Sequence, residues 1–140
     1  MNDILIPCDG SKNSLAAVKY AIELIQLTKG GRLHLLNVQP PLPSVTQLGL
    51  SQTAIRTYHQ EEGDTALRKA RAAVDKAKIA FESHIAVGDI AEQIIGYVRS
   101  RKCTQIVMGS RGLSAIPGVL LGSVATKVLH HATVPVTVVK

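Results

Sequence analysis

Two segments of the sequence carry residue types that suit the binding of a phosphate group. One is the run Pro7-Cys8-Asp9-Gly10-Ser11, and the other is the glycine-rich segment GSRGLSAIPGVLLGS at residues 109–123. In the second segment Gly122 and Ser123 open a helical pattern, and a helix N-terminus offers free backbone N–H groups with about half a positive charge. Arg111 adds a cation to the same segment. These residues predict an anion site that Gly122 keeps open and to which Ser123 contributes a hydroxyl.

The same residues allow other interpretations, which range from a purely structural role to catalysis or metal binding. Glycines that serve only turns, and a serine that only caps a helix, explain the same segment without a ligand. The segment matches neither G-x-x-x-x-G-K-[ST] nor G-x-G-x-x-G, which argues against a P-loop NTPase and a Rossmann dehydrogenase. Asp9 lacks a readable partner for general-base work, so a ligand hydrogen bond or an Asp-Gly turn is the preferred interpretation. The five histidines show no metal-ligand spacing.

Strand-like and helix-like runs alternate along the chain and position these segments. The strand-like runs cover residues 3–9, 32–38, 83–87, 104–109 and 134–139. The helix-like runs cover 13–28, 64–81, 90–101 and 122–132, the second of them starting as early as Thr53 with Gly63 as a weak point. This pattern predicts an α/β fold, an open five-stranded parallel sheet with helices on both faces. The strand order that we expect for it is 3-2-1-4-5. In that order strands one and four are neighbours, so both segments meet in the crevice beyond the carboxyl ends of the strands.

Length and composition restrict the class of protein. The 140 residues predict a single domain, 1–140, and an apolar content of 46% excludes a disordered chain. Aromatic residues make up only 3%, which argues against stacking of nucleic-acid bases, and the net charge of +6 permits anionic partners without selecting one. Neither a membrane span nor a signal peptide is visible, so we expect a cytoplasmic protein without membrane contact.

The cysteines and the basic helix each have a structural and a functional interpretation. Cys8 and Cys103 are expected to be free thiols, because neighbouring strands would hold them roughly 16 Å apart, beyond disulfide reach. A buried, inert thiol is the preferred interpretation of Cys8, and a redox sensor is the alternative. The basic face of residues 66–78 is expected to be solvated, with a nucleic-acid or membrane-surface patch as the alternative. The Pro-rich stretch PPLPS (40–44) opens a predicted long loop over residues 40–52.

The glycine spacing resembles that of a known family. Gly109-x2-Gly112-x9-Gly122-Ser123 after an apolar strand, together with ILIPCDGS around Asp9, is similar to the nucleotide-binding signature of the universal stress protein family. The runs LHLLNV and HHATVPVTVVK resemble the family's second strand and its last helix and strand, so the resemblance covers essentially the whole chain. It implies an adenine nucleotide alpha hydrolase-like fold, membership of the ATP-binding glycine-signature subgroup, and a homodimer.

The resemblance also implies a role for each matching residue. Asp9 would lie near adenine or ribose and Pro7 would line the ring, while Val38 would meet the adenine through its backbone. Met108 and Gly109 would flank the ribose. The phosphates would be held by Gly112, Gly122, Ser123 and Val124, with Ala125 standing where family members often carry a small hydroxyl residue. A Mg²⁺ or Mn²⁺ ion would come with the phosphates and meet Ser123, and no side-chain metal site is expected.

These inferences predict a stress-response regulatory protein that binds ATP in the cleft as a homodimer. AMP or a cyclic nucleotide is the alternative ligand. Neither a general base nor an arginine pair is readable, so ATP is expected as a bound signal, with at most slow hydrolysis. The dimer is expected to form through the last strand, Val134 to Val139, an apolar edge that invites pairing. The alternative function is a dimeric interaction protein that binds no nucleotide and meets an unknown protein partner through its basic surface.

Overall fold

The computed structural model describes residues 2–43, 49–113 and 117–140. Within these ranges five strands alternate with four helices: β1 (Asp3–Pro7), α1 (Lys12–Thr28), β2 (Arg32–Gln39), α2 (Gln52–Ala77), β3 (Phe81–Val87), α3 (Ile90–Arg101), β4 (Gln105–Gly109), α4 (Ser123–His131) and β5 (Val136–Val139). The strands are parallel in the order β3-β2-β1-β4-β5, which confirms the predicted fold. Parts of the predicted loop 40–52 and of the glycine-rich segment, residues 44–48 and 114–116, lie outside the described residues.

Two apolar layers cover the sheet. β1 lies at its centre, between β2 and β4, and Ile4, Leu5 and Ile6 have no exposed surface. Neighbouring residues of a strand point to opposite faces. Ile4 and Ile6 therefore pack with α1 and α2, whereas Leu5 packs with α3 and α4. This burial on both faces explains the near-continuous apolar strands and leaves the strand ends as the place for polar chemistry.

The second helix, α2, ends earlier than predicted, whereas the start of α1 agrees with the prediction. Ser11 caps α1 as predicted, its hydroxyl accepting the amide of residue 14. The prediction that the second helix reaches residue 81 is wrong. Lys78 adopts a left-handed conformation with φ 58° and ends α2, and Phe81 begins β3, where it pairs with Leu33. The helical spacing continued into Phe81 because this residue packs on the same core as α2.

The first and last strands are shorter than predicted. β1 ends at Pro7 instead of residue 9, and β5 begins at Val136 instead of residue 134. Pro135 has no N–H to donate, so it contributes only its carbonyl, which accepts the Ile106 amide at 2.9 Å. At the end of β1 the Cys8 amide still donates to the Leu36 carbonyl at 2.8 Å, and the polar residues from Asp9 onward follow at the edge of the sheet where ligands bind.

Gly63 is a packing site within α2 and not a weak point. The helix runs through it unbroken, and Gly63 is buried against β3. A Cβ at this position would lie 2.5, 2.6 and 2.8 Å from three side-chain carbons of Ile85. The missing side chain therefore lets α2 approach the sheet closely.

Gly63→Ala is expected to lower the free energy of unfolding by about 1–3 kcal/mol, the usual cost of overpacking, although alanine favours a helix by about 1 kcal/mol. The matched control is Gly96→Ala in α3, where a Cβ would meet nothing within 4 Å and a gain in stability is expected. Urea denaturation of both variants provides the measurement. Equal stability of the two variants would contradict the packing role of Gly63.

Candidate functional site

A cleft of about 980 Å³ opens beyond the carboxyl ends of β1, β2 and β4. The strand order reverses between β1 and β4, and open α/β sheets bind their ligands at such a point. The cleft is lined by every residue that the sequence analysis assigned to the site: Pro7, Asp9, Val38, Met108, Gly109, Arg111, Gly112, Gly122, Ser123, Val124 and Ala125. The fold thus brings the two candidate segments together as expected.

The N-terminus of α4 presents unpaired amides to this cleft. Its N-cap is Gly122, which supplies no side-chain acceptor, whereas α1, α2 and α3 are capped by serine or aspartate side chains. Within the part of the chain that the structure describes, the amides of Ser123, Val124 and Ala125 have no acceptor. Such amides carry the positive end of the helix dipole. This end of the cleft is therefore suited to an anion.

Ser110 holds the start of α4 against the sheet. This residue follows β4 and is 3% exposed. Its amide donates to the Val139 carbonyl at 2.8 Å, and its carbonyl accepts the Gly122 amide at 2.8 Å. The two bonds close the glycine-rich segment into a loop whose ends meet at the tip of β4. Sequence analysis missed Ser110 because both bonds are made by its backbone, and backbone groups are the same whatever the residue type.

Asp9 joins the first turn to the glycine-rich loop. Its Oδ1 accepts the Ser11 amide at 2.9 Å, and its Oδ2 accepts the Leu113 amide at 3.2 Å. The carboxylate thus lines the cleft with two backbone donors already bound to it.

The surroundings of the three signature glycines differ in how much room they leave for a side chain. A Cβ at Gly109 would lie 2.8 Å from Asn13 in the first turn of α1. One at Gly112 would lie 2.5 Å from the Asp9 carboxylate. At Gly122 the nearest atoms would be 3.6 Å away, an ordinary contact distance. Of the three, Gly122 is therefore the position at which a Cβ would fit against the protein without a clash.

The structure adds lining residues that the sequence analysis did not assign. Asn37, at the end of β2 and 3% exposed, donates to the Cys8 carbonyl at 2.8 Å and so holds the first turn against β2. Its place as a polar residue in the apolar run LHLLNV was the signal that could have identified it. A second group lies on α2: Glu62, Thr65, Ala66, Arg68 and Lys69. No local motif marks this group, because tertiary packing alone places α2 along the cleft.

The basic face of α2 divides into two parts. Arg71 forms an ion pair with Asp64 at 2.9 Å, and its hydrogen bond holds the pKa of that carboxyl below the usual range. Arg68 and Lys69 are exposed and line the cleft instead. With Arg111 they supply three cations among the described lining residues, where the carboxylates are Asp9 and Glu62. The excess of cations favours an anionic ligand.

Both cysteines are free and buried, as expected. Burial raises the pKa of the Cys8 thiol far above its usual value, and the neighbouring Asp9 acts in the same direction. Burial also raises the pKa of Cys103 to about 11. A thiol that stays protonated is a poor nucleophile, so Cys8 fits the inert interpretation better than that of a redox sensor.

The fold and this cleft define a doubly wound α/β protein with a crevice at the switch point of its sheet. The family model described as "Universal stress protein family" matches residues 1–140. The chain belongs to this family.

Individual relatives match nearly the whole chain, one in sequence and one in its solved structure. Universal stress protein MJ0531 of Methanocaldococcus jannaschii is 32% identical over 141 residues, which cover 98% of this chain and 81% of the relative. The solved structure of hypothetical protein MJ0577 has a TM-score of 0.86 at 25% identity and covers 99% of this chain and 95% of its own.

Two further solved structures are described with a nucleotide. A universal stress protein in complex with cAMP has a TM-score of 0.75 at 24% identity, over 99% of this chain and 97% of that one. A family protein from Arabidopsis thaliana with AMP bound has a TM-score of 0.72 at 20% identity, over 100% of this chain and 92% of that one. Both share the fold described here.

A second group of titratable side chains lies toward the amino ends of the strands. His34 on β2 is 3% exposed; its Nδ1 lies 2.9 Å from the Tyr97 hydroxyl and 3.5 Å from Glu82, and its Nε2 lies 3.8 Å from Asp3. Burial lowers the pKa of His34, although Asp3 and Glu82 act in the opposite direction. Among the described residues no group of three or more His, Cys, Asp or Glu could hold a metal ion, and no helix is long and apolar enough to cross a bilayer.

The free energy of unfolding is expected to fall as the pH drops below about 6.5, the pKa of an unperturbed histidine. In that range the unfolded chain binds a proton at His34 while the folded chain, with its lowered pKa, does not. The loss is at most about 1.4 kcal/mol per pH unit for one proton. His34→Gln should flatten the dependence, whereas the exposed control His130→Gln should not. Urea denaturation across this pH range is the measurement, and equal slopes for wild type and His34→Gln would contradict the assignment.

Proposed function

We propose that the protein is a regulatory stress-response protein that binds ATP in this cleft. The observation that carries the proposal is the uncapped N-terminus of α4, which faces the cleft beside a glycine whose Cβ would clash with no neighbour. A phosphate group pairs such amides and meets the positive end of the helix dipole at once. The bound cAMP and AMP of the two solved relatives support an adenine nucleotide as the ligand.

The lining residues suit the parts of such a nucleotide. Ser123, Val124 and Ala125 offer their amides to the phosphates, with Gly112 and Gly122 beside them. Met108 and Gly109, at the end of β4, would flank the ribose. Pro7 and Val38, at the ends of β1 and β2, would line the adenine. A Mg²⁺ or Mn²⁺ ion would be carried by the phosphates and meet the Ser123 hydroxyl, since Mg²⁺ keeps few protein ligands beside a nucleotide.

The charge of the cleft favours ATP over AMP as the ligand. Arg68, Lys69 and Arg111 line it, and each further phosphate gains from the cations. We propose ATP as a bound signal and not as a consumed substrate, because both oxygens of Asp9 already accept backbone amides.

Nucleotide-dependent stabilisation tests the proposed function. ATP at 100 times its dissociation constant is expected to add about 2.7 kcal/mol to the free energy of unfolding, because it binds the folded chain alone. The same melts with AMP, cAMP and adenosine rank the ligands. A protein whose unfolding responds to none of them would contradict the proposal and favour the interaction protein that binds no nucleotide.

Gly122→Val is expected to abolish ATP binding while the fold persists. A Cβ has room at this position, 3.6 Å from its nearest neighbours, but the added methyl groups would enter the proposed phosphate volume. Gly122→Ala, with the Cβ alone, is the matched control and should weaken binding less. Calorimetric titration of variants shown to be folded by circular dichroism is the measurement. Wild-type affinity in folded Gly122→Val would place the phosphates elsewhere.

We further propose that the protein is a homodimer through β5. This strand pairs with β4, and its other edge is unpaired within the described residues. The carbonyls of Pro135 and Val139 accept amides of the β4 chain, from Ile106 and Ser110. The alternation of a parallel ladder then turns the amides of residues 136 and 138 away from β4. An edge with outward donors suits pairing with a second copy.

Val138→Pro removes one outward donor and is expected to convert a dimer of twice 14.9 kDa into a monomer of 14.9 kDa. The sheet should persist, since proline is tolerated on an edge strand. The control Thr137→Pro removes a donor that faces β4 and should destabilise the fold. Light scattering at micromolar concentration reports the mass. A wild-type mass of 14.9 kDa would reject the dimer, and a dimeric Val138→Pro would move the interface away from β5.

A further inference from the structure

One face of α2 forms a side of the cleft. The residues of this helix that pack against the sheet and its core are Gly63, Leu67, Ala70 and Val74. The next face round the helix lines the cleft with Glu62, Thr65, Ala66 and Lys69, whose spacings of three and four residues place them on one side. This cleft face packs against the first turn, since a Cβ at Gly10 would lie 3.5 Å from the Ala66 Cα.

The cleft face of α2 carries a cation and a carboxylate at different depths. Lys69 and Glu62 are both exposed, and the helical rise separates them by roughly 10 Å along the axis. Because α2 connects the parallel neighbours β2 and β3, it runs from the carboxyl edge of the sheet back toward the amino edge. Lys69 therefore lies deeper along the cleft, and Glu62 lies nearer its outer end.

Of the α2 cations that line the cleft, Lys69 is the one without a carboxylate neighbour. Arg71 is paired with Asp64 at 2.9 Å. Its hydrogen bond is the main cause of the lowered pKa of Asp64, and the nearby charge of Arg68 acts in the same direction. Arg68 thus already faces a carboxylate, whereas Lys69 forms no ion pair with any described residue. The Lys69 ammonium group is left available to an anionic ligand.

We propose that Lys69 is a specificity-determining residue that binds the outer phosphates of the nucleotide. This inference deepens the proposed function and rests on it. The helix α4 packs on one face of the sheet and α2 on the other, so the amides of α4 and the Lys69 ammonium group approach a ligand in the cleft from two sides. A monophosphate on the α4 amides has no phosphate left for Lys69, whereas a triphosphate can use both. The cleft thereby selects its ligand by the number of phosphates.

Calorimetric titration of Lys69→Gln with ATP and with AMP tests this assignment. ATP should bind about three- to tenfold more weakly than to the wild type, and AMP less than about twofold more weakly, since a single exposed charge pair is screened by water and salt. The matched control is Lys76→Gln, the same change at an exposed α2 residue that does not line the cleft, and it should leave both affinities unchanged. An unchanged ATP affinity in Lys69→Gln, or equal losses for ATP and AMP, would overturn the proposal while the nucleotide function stands.

Glu62→Gln should produce the opposite sign. Loss of a carboxylate that repels the outer phosphates is expected to tighten ATP by about twofold and to leave AMP nearly unchanged. Weaker ATP binding in this variant would mean that the cleft face of α2 does not act on the ligand as on an anion, which contradicts the proposal.

Inorganic tripolyphosphate separates failure of this inference from failure of the proposed function, because it carries the phosphates without the nucleoside. Calorimetry should show that tripolyphosphate binds the wild type and Lys76→Gln alike and Lys69→Gln about three- to tenfold more weakly. If the wild type binds neither ATP nor AMP but binds tripolyphosphate in this Lys69-dependent manner, the proposed function fails and the phosphate role of Lys69 stands. If tripolyphosphate binds Lys69→Gln as tightly as the wild type, the role of Lys69 is refuted.

Discussion

Two backbone hydrogen bonds at Ser110 hold the candidate site together. Ser110 is buried, and unpaired backbone groups in such a place are costly. The Ser110 amide donates to the Val139 carbonyl, which is possible because β5 lies beside β4. The Ser110 carbonyl accepts the Gly122 amide, which requires the end of the glycine-rich loop to lie next to the end of β4. The sheet order thus determines where α4 begins. The free amides of α4 in turn make one end of the cleft suited to an anion.

The start of α4 gives up stabilisation that the other helices obtain. Side-chain caps at Ser11, Ser51 and Asp89 pair the first amides of α1, α2 and α3, and a cap contributes about 1 kcal/mol. Gly122 offers no such acceptor. A phosphate supplies the missing partner together with the charge that the helix dipole favours. The first amides of α4 are therefore left unpaired in the protein alone. A bound nucleotide would pair them and so recover the stabilisation that a side-chain cap provides in the other helices.

The fold was predictable from the sequence because local patterns and global topology agree. Apolar strands alternating with amphipathic helices led to the parallel sheet. The family resemblance, together with the cation Arg111, led to eleven residues that all line the cleft. The features that the sequence analysis missed are determined by tertiary contacts. The α2 residues that line the cleft carry no sequence motif, and Ser110 acts through its backbone. Gly63 would be expected to weaken a helix, but in the structure it packs closely against Ile85. Phe81 continued a helical pattern although it begins a strand, because both elements face one core.

The central claim is that the carboxyl end of the sheet binds an adenine nucleotide with its phosphates at α4. Titration of ¹⁵N-labelled protein with ATP, followed by amide chemical shifts, tests this most directly. The account predicts saturable shifts at Ser123, Val124, Ala125 and Gly112, with smaller ones at Val38 and none around His34 at the other end of the strands. Saturable shifts confined to other surfaces, or no shifts at millimolar ATP, would contradict it.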